Sequence, residues 1–260
     1  MLLVIDVGNT ETVFGLYEGD ALKTHWRLSS HMNRTADESW ILLRMWCESQ
    51  KLRAGDIRGV VISSVVPDLT SVFSDMASRH LKTEPLVVSF ETDTGLAILY
   101  DTPRTVGADR ICNAVAGVAR FGAPLVVVDF GTATTFDVIS EKKEYLGGLI
   151  CLGLGGAAQE LHRIAAKLPK VDLVFPDAVV GRNTEASIQS GIMWGTAIMV
   201  DGLVRAISEE LGAGEIRAVA TGGMAGLIGA RSRSLRAVEP FLTLEGMKLI
   251  HQRIASRTSR

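Results

Sequence analysis

Small polar residues follow the first apolar stretch of the chain at close spacing. After Leu2-Leu3-Val4-Ile5 come Asp6, Gly8, Asn9, Thr10 and Thr12. A turn of this kind lets backbone N–H groups and hydroxyls converge on a phosphate, because glycine permits close approach. The Asp6 carboxylate would repel a phosphate, so we expect it to hold a cation or the water shell of a cation. An ordinary hairpin turn is the alternative, since Asp-x-Gly sequences occur in many hairpins.

The same pattern returns in the second half of the chain. Residues 125–148, LVVVDFGTATTFDVISEKKEYLGG, run from an apolar strand through Asp129-Phe130-Gly131-Thr132 to a second apolar strand. The segment Asp6-Val7-Gly8 aligns with the first three of these turn residues. Each copy predicts a strand, a tight turn and an antiparallel return strand. Matched copies favour two similar α/β domains that clasp a nucleotide between them.

The positions of further elements follow from hydrophobic periodicity and from Gly and Pro punctuation. Helices are predicted at 36–49, 69–80, 108–121 and 185–211, and strands at 25–28, 59–66, 85–89 and 215–223. Because no linker composition divides the halves, only the repeat places the domain boundary. We expect an N-terminal domain over 1–115 and a C-terminal domain over 116–260.

Two short segments have both a structural and a functional interpretation. Thr221-Gly222-Gly223 stands where a strand meets a helix and is either a slot for adenosine or an ordinary turn. Gly107-Ala108-Asp109-Arg110 opens a helix, where an acid is stabilised by the helix dipole. Asp109 could also accept a proton from an attacking hydroxyl, which is the base that phosphoryl transfer needs.

A competing pattern lies in the middle of the chain. Gly153-x-Gly155-x-x-Ala158 follows an apolar strand and precedes a helix, and Asp177 follows further on. This spacing formally fits a dinucleotide-binding fingerprint. It comes directly after a hairpin strand, where such a unit would not normally begin.

Composition excludes several classes of partner. A net charge of -2 and a pI near 6.2 do not favour nucleic-acid binding. No uninterrupted apolar run reaches the roughly 18 residues of a membrane span.

Cys47, Cys112 and Cys151 are widely spaced, which is typical of reduced cysteines in a cytoplasmic protein. Hydrophobic residues make up 47% of the chain, which is compatible with a buried subunit interface.

Taken together, the motifs resemble those of the type III pantothenate kinases, in the acetate and sugar kinase/Hsp70/actin superfamily. The matching segments follow the family's order: Asp6 to Thr10, Gly107 to Arg110, Asp129 to Thr135, Asn183-Thr184, Ser190-Gly191, Asp201-Gly202 and Thr221 to Gly223. The resemblance implies two similar actin-like (ribonuclease H-like) α/β domains with the nucleotide site in the cleft between them. It also implies phosphorylation of pantothenate by ATP, the first step of coenzyme A biosynthesis.

The resemblance further assigns roles to residues. ATP would be held by Thr132 and by the segment Asp6, Val7, Gly8, Asn9, Thr10, Glu11, Thr12 and Val13, with Asp6 close to Mg²⁺. Asp129 would hold a monovalent cation, K⁺ or NH₄⁺, and Asp109 would be the general base. Pantothenate would be bound by Tyr100, Gly107, Ala108, Asp109, Arg110 and Thr184. Family members form homodimers with the acceptor site at the interface.

Some positions depart from the family pattern. Glu11 stands where Asn is usual, Leu152 replaces a proline, and Ile164-Ala165 stand where Arg-Thr is typical, within a helix expected around 157–168. These departures keep open a nucleotide-binding regulator, similar to a transcription accessory factor. A hydrolase of ATP or polyphosphate is a further alternative, since it needs no acceptor pocket. The presence of Asp6, Asp109, Arg110, Asp129 and Thr132 favours the kinase.

Overall fold

The computed structural model describes residues 1–165 and 167–258. Contacts divide these residues into two compact units. The first unit contains Met1–Leu96, Tyr100–Ala116 and the chain from Thr243 onwards, and the second contains Ala97–Leu99 and Gly117–Leu242. The domain limits 1–115 and 116–260 follow the order of the repeat and stay a prediction.

The described elements are named here in chain order. They are β1 (Leu2–Val7), β2 (Glu11–Glu18), β3 (Ala21–Ser29), α1 (Ala36–Ser49), β4 (Gly59–Ser64), α2 (Pro67–Met76), β5 (Leu86–Val87), β6 (Ala97–Ile98), α3 (Ala108–Phe121), β7 (Leu125–Phe130), β8 (Ala133–Ile139), β9 (Glu144–Leu152), α4 (Leu154–Ile164), α5 (Thr184–Glu210), β10 (Arg217–Thr221), α6 (Ala225–Gly229), β11 (Leu235–Val238) and α7 (Leu242–Thr258). Short 3₁₀ turns lie at Ala54–Asp56 and Pro103–Thr105, and a π turn at Ala77–Leu81 continues α2.

The same sheet is built in both units. In the first unit the strand order is β3-β2-β1-β4-β5, with β1 antiparallel to β2 and parallel to β4. In the second unit β9-β8-β7-β10-β11 repeats that order, and β6 is added beside β9. β7 is antiparallel to β8 and parallel to β10. The predicted repeat, with a strand hairpin opening each α/β unit, is confirmed.

Local sequence signals account for the helices that position the site. Thr35 caps α1 through a capping box, in which the Glu38 N–H donates to Thr35 Oγ1 at 3.2 Å and Glu38 Oε2 accepts from the Thr35 N–H at 2.8 Å. Pro67 begins α2, where its missing N–H costs nothing. The predictions of 36–49 and 108–121 agree with α1 and α3, and 185–211 differs from α5 by one residue at each end.

Each unit has its own apolar core. In the first, Phe14 of β2 packs edge-on against Phe73 of α2, with ring centroids 5.3 Å apart, and Leu43 of α1 is fully buried beside them. In the second, Phe130 and Phe136 of the hairpin pack with Met193 of α5. Because burial of apolar surface drives folding, these cores fix the strands from which the polar turns project.

The dinucleotide interpretation of the segment at Gly153 is wrong. Such a unit needs a strand, a helix and a second strand that pairs in parallel with the first. Here β9 pairs with β8 and β6, whereas the next strand after α4, β10, pairs with β7 and β11. Helix α4 ends at Ile164, earlier than the predicted end at 168, and Ala166 lies outside the described residues.

Helix α7 packs against α3 at very short distance in the first unit. A Cβ built on Gly246 would lie 2.0 Å from the Cys112 carbonyl oxygen, so only glycine fits there. Beside it, Thr243 Oγ1 donates to Asn113 Oδ1 at 2.8 Å, and Asn113 is fully buried. This contact holds in place the helix that carries Asp109.

We expect Gly246→Ala to lower the free energy of unfolding by about 1–3 kcal/mol, because the added methyl meets rigid backbone. Urea denaturation followed by circular dichroism measures this. The matched control is Gly226→Ala in α6, where a Cβ would have open space and stability should be unchanged or gain up to about 1 kcal/mol. Equal stabilities for the two variants would contradict the close packing.

Candidate functional site

The turn between β1 and β2 projects small polar groups from the sheet edge. Val7 is paired with Thr12, and between them the Gly8 N–H donates to the Glu11 carbonyl oxygen at 3.0 Å. Asn9 and Thr10 are exposed at the tip. The structure therefore brings residues 6–13 into one hairpin, whose exposed residues are Asn9, Thr10 and Glu11.

Not every hydroxyl of this hairpin faces outward. Thr12 is 1% exposed, and its Oγ1 is 2.9 Å from Ser30 Oγ on the neighbouring segment. Val13 is partly buried in β2. The buried Thr12 side chain therefore links the turn to the segment at Ser30, while residues 9–11 form the exposed surface of the turn.

Glu11 has an opposite charge beside it. Arg27 Nη1 of β3 lies 2.8 Å from Glu11 Oε2, and both side chains are about half exposed. The pair is diagonal across the strands, since Arg27 is in register with Val13. The negative charge that the sequence adds at the turn is therefore offset by a residue of the neighbouring strand, β3.

Asp6 lies next to last in β1, beside a parallel strand. It is in register with Ser63 of β4, whose Oγ donates to Asp6 Oδ1 at 3.0 Å. Ser63 is fully buried, whereas Asp6 is only partly buried. The carboxylate thus has one oxygen oriented by the sheet.

Asp109 lies in the first turn of α3. Its Oδ1 accepts the Arg110 backbone N–H at 2.8 Å and lies 2.4 Å from the position that a Cβ on Gly107 would take. Gly107 therefore leaves the space that the carboxylate occupies. Burial raises the pKa of the Asp109 carboxyl, although the Arg110 N–H and charge oppose that rise.

A buried thiol is influenced by both acidic groups. Cys112 of α3 is fully buried, and burial, followed by the negative charges of Asp6 and Asp109, raises the pKa of its thiol well above the usual value. The thiol is therefore neutral. Asp6 and Asp109, which were predicted from separate motifs, lie in the same unit and both act electrostatically on this group.

Sequence reasoning missed Ser63 and Cys112. The available signal for Ser63 was its position at the end of the apolar run GVVISS, since the carboxyl ends of parallel strands form ligand sites in α/β sheets. Cys112 carries no such signal, because a cysteine in an apolar helix face is ordinarily a core residue.

The second unit repeats the arrangement with tighter glycine packing. Asp129 lies next to last in β7 and is in register with Thr221 of β10. A Cβ on Gly222, whose φ is +91°, would lie 2.4 Å from Asp129 Oδ1. Gly153 packs closely against the turn that follows β7, because a Cβ on Gly153 would lie 2.2 Å from the Thr132 carbonyl oxygen. Thr132 itself is exposed.

The remaining predicted residues lie in different surroundings. Tyr100 is partly buried, Ala108 is buried at the start of α3, and Arg110 is 9% exposed. Thr184 is exposed at the first position of α5 and lines a groove of about 580 Å³ within the second unit. The other walls of this groove are mainly apolar and come from β9, α4 and α5.

The acidic residues suit a metal that arrives with its ligand. Among the residues described, no group of three or more His, Cys, Asp or Glu is placed to hold a metal. Mg²⁺ usually takes one or two carboxylates and completes its shell with water and phosphate oxygens. Asp6, oriented at a strand end beside the β1–β2 turn, fits that role.

Comparison with solved structures defines the class of fold. The chain is similar to a protein of Campylobacter jejuni assigned to the Baf family of transcriptional activators, with TM-score 0.62, 18% identity and coverage of 98% of this chain and 99% of the other. It is also similar to the ROK hexokinase of Thermus thermophilus, with TM-score 0.51, 13% identity and coverage of 97% and 99%. These likenesses bear on the fold alone, which consists of two similar actin-like α/β domains.

Sequence comparison defines the family. A profile of the type III pantothenate kinase family matches residues 2–206. The type III pantothenate kinases of Moorella thermoacetica and Anaeromyxobacter dehalogenans are 49% and 51% identical over 253 residues, covering 97% of this chain and 99% of each relative. The chain belongs to the type III pantothenate kinase family. No helix in the described chain has the length and apolar character needed to cross a bilayer.

We expect Asp109→Asn to raise the free energy of unfolding at neutral pH, because it removes a buried negative charge. The folded-state pKa of Asp109 is raised, so protonation relieves this cost as pH falls through that pKa. The gain over wild type should therefore shrink on acidification towards the unfolded pKa of about 3.9. Urea denaturation of both proteins between pH 4 and 7.5 measures the difference, and a gain that grows towards acid pH would contradict the assignment.

Proposed function

We propose that this protein transfers the γ-phosphoryl group of ATP to the hydroxyl of pantothenate, which is the first step of coenzyme A biosynthesis. The observation that supports the chemistry most directly is that two carboxylates from separate motifs, Asp6 and Asp109, lie in the first unit and both act electrostatically on the buried Cys112 thiol. One is oriented at a strand end and the other is half-buried at a helix start. This difference in surroundings suits a metal-associated carboxylate and a general base.

Asp109 acts as the base in this proposal. Its carboxylate takes the proton of the acceptor hydroxyl as the hydroxyl oxygen forms a bond to the γ-phosphorus. The bond from that phosphorus to the β,γ-bridging oxygen breaks, and ADP leaves. A raised pKa makes Asp109 a better proton acceptor than an exposed carboxylate.

The phosphates of ATP are assigned to the β1–β2 turn and to Thr132. The Gly8 to Glu11 segment offers backbone N–H groups and exposed polar side chains, as phosphate-binding turns do. Asp6 holds Mg²⁺, which when bound neutralises charge on the phosphates. Asp129, packed beneath Gly222, is assigned to the monovalent cation, K⁺ or NH₄⁺.

The acceptor pocket is assigned to Tyr100, Gly107, Ala108, Arg110 and Thr184. Arg110 suits the carboxylate of pantothenate, because its planar guanidinium can donate two parallel hydrogen bonds. The apolar groove next to Thr184 matches a substrate that carries methyl groups beside its hydroxyl. The nucleotide site in a cleft between the domains stays a prediction from the resemblance.

A cytoplasmic homodimer with the acceptor site at its interface completes the proposal. On the second unit, large apolar side chains are exposed on β9 and α5, namely Ile150 (68%), Leu152 (64%) and Ile198 (63%). Exposed apolar groups of this size are typical of subunit interfaces. Free cysteines at positions 47, 112 and 151 agree with a reducing compartment.

ADP release tests the proposed reaction. With ATP and Mg²⁺ in K⁺ buffer, release should require pantothenate, and replacing K⁺ by Na⁺ should lower it. Asp109→Asn should bind ATP nearly as wild type while turnover falls at least about a hundredfold. Release without pantothenate would identify a hydrolase, and nucleotide binding without release under any condition would favour a regulator.

The Glu11–Arg27 pair makes a separate prediction about ATP. We expect Arg27→Gln to raise the KM for ATP about fivefold, because Glu11 then loses its positive partner. Repulsion between the Glu11 carboxylate and a phosphate charge a few Å away in water costs about 1 kcal/mol. Adding Glu11→Gln should restore the KM. The matched control is Lys23→Gln, which removes the partner of Glu18 at 3.1 Å at the far end of the same hairpin. An equal KM rise in the control would show a general effect of hairpin charge.

A further inference from the structure

A buried hydroxyl stands behind the carboxylate assigned to Mg²⁺. Ser63 lies on β4 in parallel register with Asp6, and its Oγ donates to Asp6 Oδ1 at 3.0 Å. The Ser63 side chain has no exposed surface, whereas Asp6 is partly buried. The hydrogen bond is therefore shielded from water on the Ser63 side, and it holds one of the two oxygens of the Asp6 carboxylate.

Ser63 also has a neutral, buried neighbour on α3. The Cys112 thiol is fully buried, and burial together with the charges of Asp6 and Asp109 raises its pKa well above the usual value. A neutral thiol adds no charge that would compete with Asp6 for the Ser63 hydroxyl.

The second unit carries a comparable pair. Asp129 of β7 is in register with Thr221 of β10, which is 1% exposed. In both units, therefore, a buried hydroxyl residue of the neighbouring parallel strand accompanies the acidic residue at the end of the central strand. This recurrence is not needed to form the sheet, because any β-forming residue could occupy the position.

From these contacts we infer that Ser63 is a positioning residue, which orients the Asp6 carboxylate for Mg²⁺ bound with the nucleotide. The inference rests on the proposed function, in which Asp6 is the metal-associated carboxylate. Hydrogen bonding to one oxygen fixes the carboxylate plane, as hydrogen bonds to ligating groups do in metal sites. Loss of the hydroxyl should therefore weaken the metal's contribution to nucleotide binding while the metal-free affinity stays unchanged.

Calorimetric binding of β,γ-methylene-ATP, with Mg²⁺ and with EDTA, tests this without any turnover. The measured quantity, the Mg²⁺ factor, is the ratio of the Kd of the analogue in EDTA to its Kd with Mg²⁺. We expect Ser63→Ala to reduce that factor about tenfold, with the EDTA affinity unchanged, because hydrogen bonds to charged groups have effects of this size. Ser63→Thr keeps the hydroxyl and should recover most of the factor.

Two further variants make the result decisive. Ser64→Ala is the matched control, because Ser64 Oγ accepts from the Val66 N–H and from Thr70 Oγ1 at the start of α2. It should lower the melting temperature and leave the Mg²⁺ factor unchanged. Asp6→Asn should reduce the factor at least as much as Ser63→Ala.

The possible outcomes separate the inference from the proposal beneath it. A wild-type factor in Ser63→Ala, with a reduced factor in Asp6→Asn, would overturn the role of Ser63 alone. An equal loss in Ser64→Ala would also overturn it, by showing a general disturbance of the strand end. A wild-type factor in Asp6→Asn would remove the metal role of Asp6, and the inference would fall with it.

Discussion

Strand pairing is the constraint on which the site depends. In each unit the central strand has an antiparallel hairpin partner on one side and a parallel strand on the other. The antiparallel partner forces a tight turn just after the acidic residue. The parallel partner brings the end of another strand, with its own polar residue, to the same edge. An acidic residue next to last in the central strand therefore lies close both to the hairpin turn and to the end of the parallel strand.

Glycines convert this general arrangement into a specific one. Gly107 gives the Asp109 carboxylate its space, Gly222 lies against Asp129, and Gly153 lies against the turn that contains Thr132. At each of these places a Cβ would overlap a carboxylate oxygen or a backbone oxygen. Close packing thus sets the direction of the polar groups, and little freedom remains in the turns apart from the exposed tip at Asn9 and Thr10.

Much of this architecture was predictable, for identifiable reasons. The repeat of Asp-x-Gly turns after apolar strands predicted both hairpins, and strong periodicity with a capping box predicted α1 closely. The neighbours of the acidic residues were harder to predict, because the contact of Ser63 with Asp6 depends on strand register. The ion pair that offsets Glu11 likewise depends on the diagonal position of Arg27. Helix α7, which shows weak apolar periodicity, gives no local sign that it belongs with the first unit.

That return of α7 to the first unit has a consequence for synthesis on the ribosome. The helix that carries Asp109 packs against Gly246 and Thr243, which are translated more than a hundred residues after it. The second unit has all its described strands once β11 has emerged, so it can fold while the first still lacks a helix. The nascent chain therefore holds Asp6 and Asp109 in an unfinished unit until α7 leaves the exit tunnel. Completion of that unit waits for a helix that is made after every described strand of the second unit's sheet.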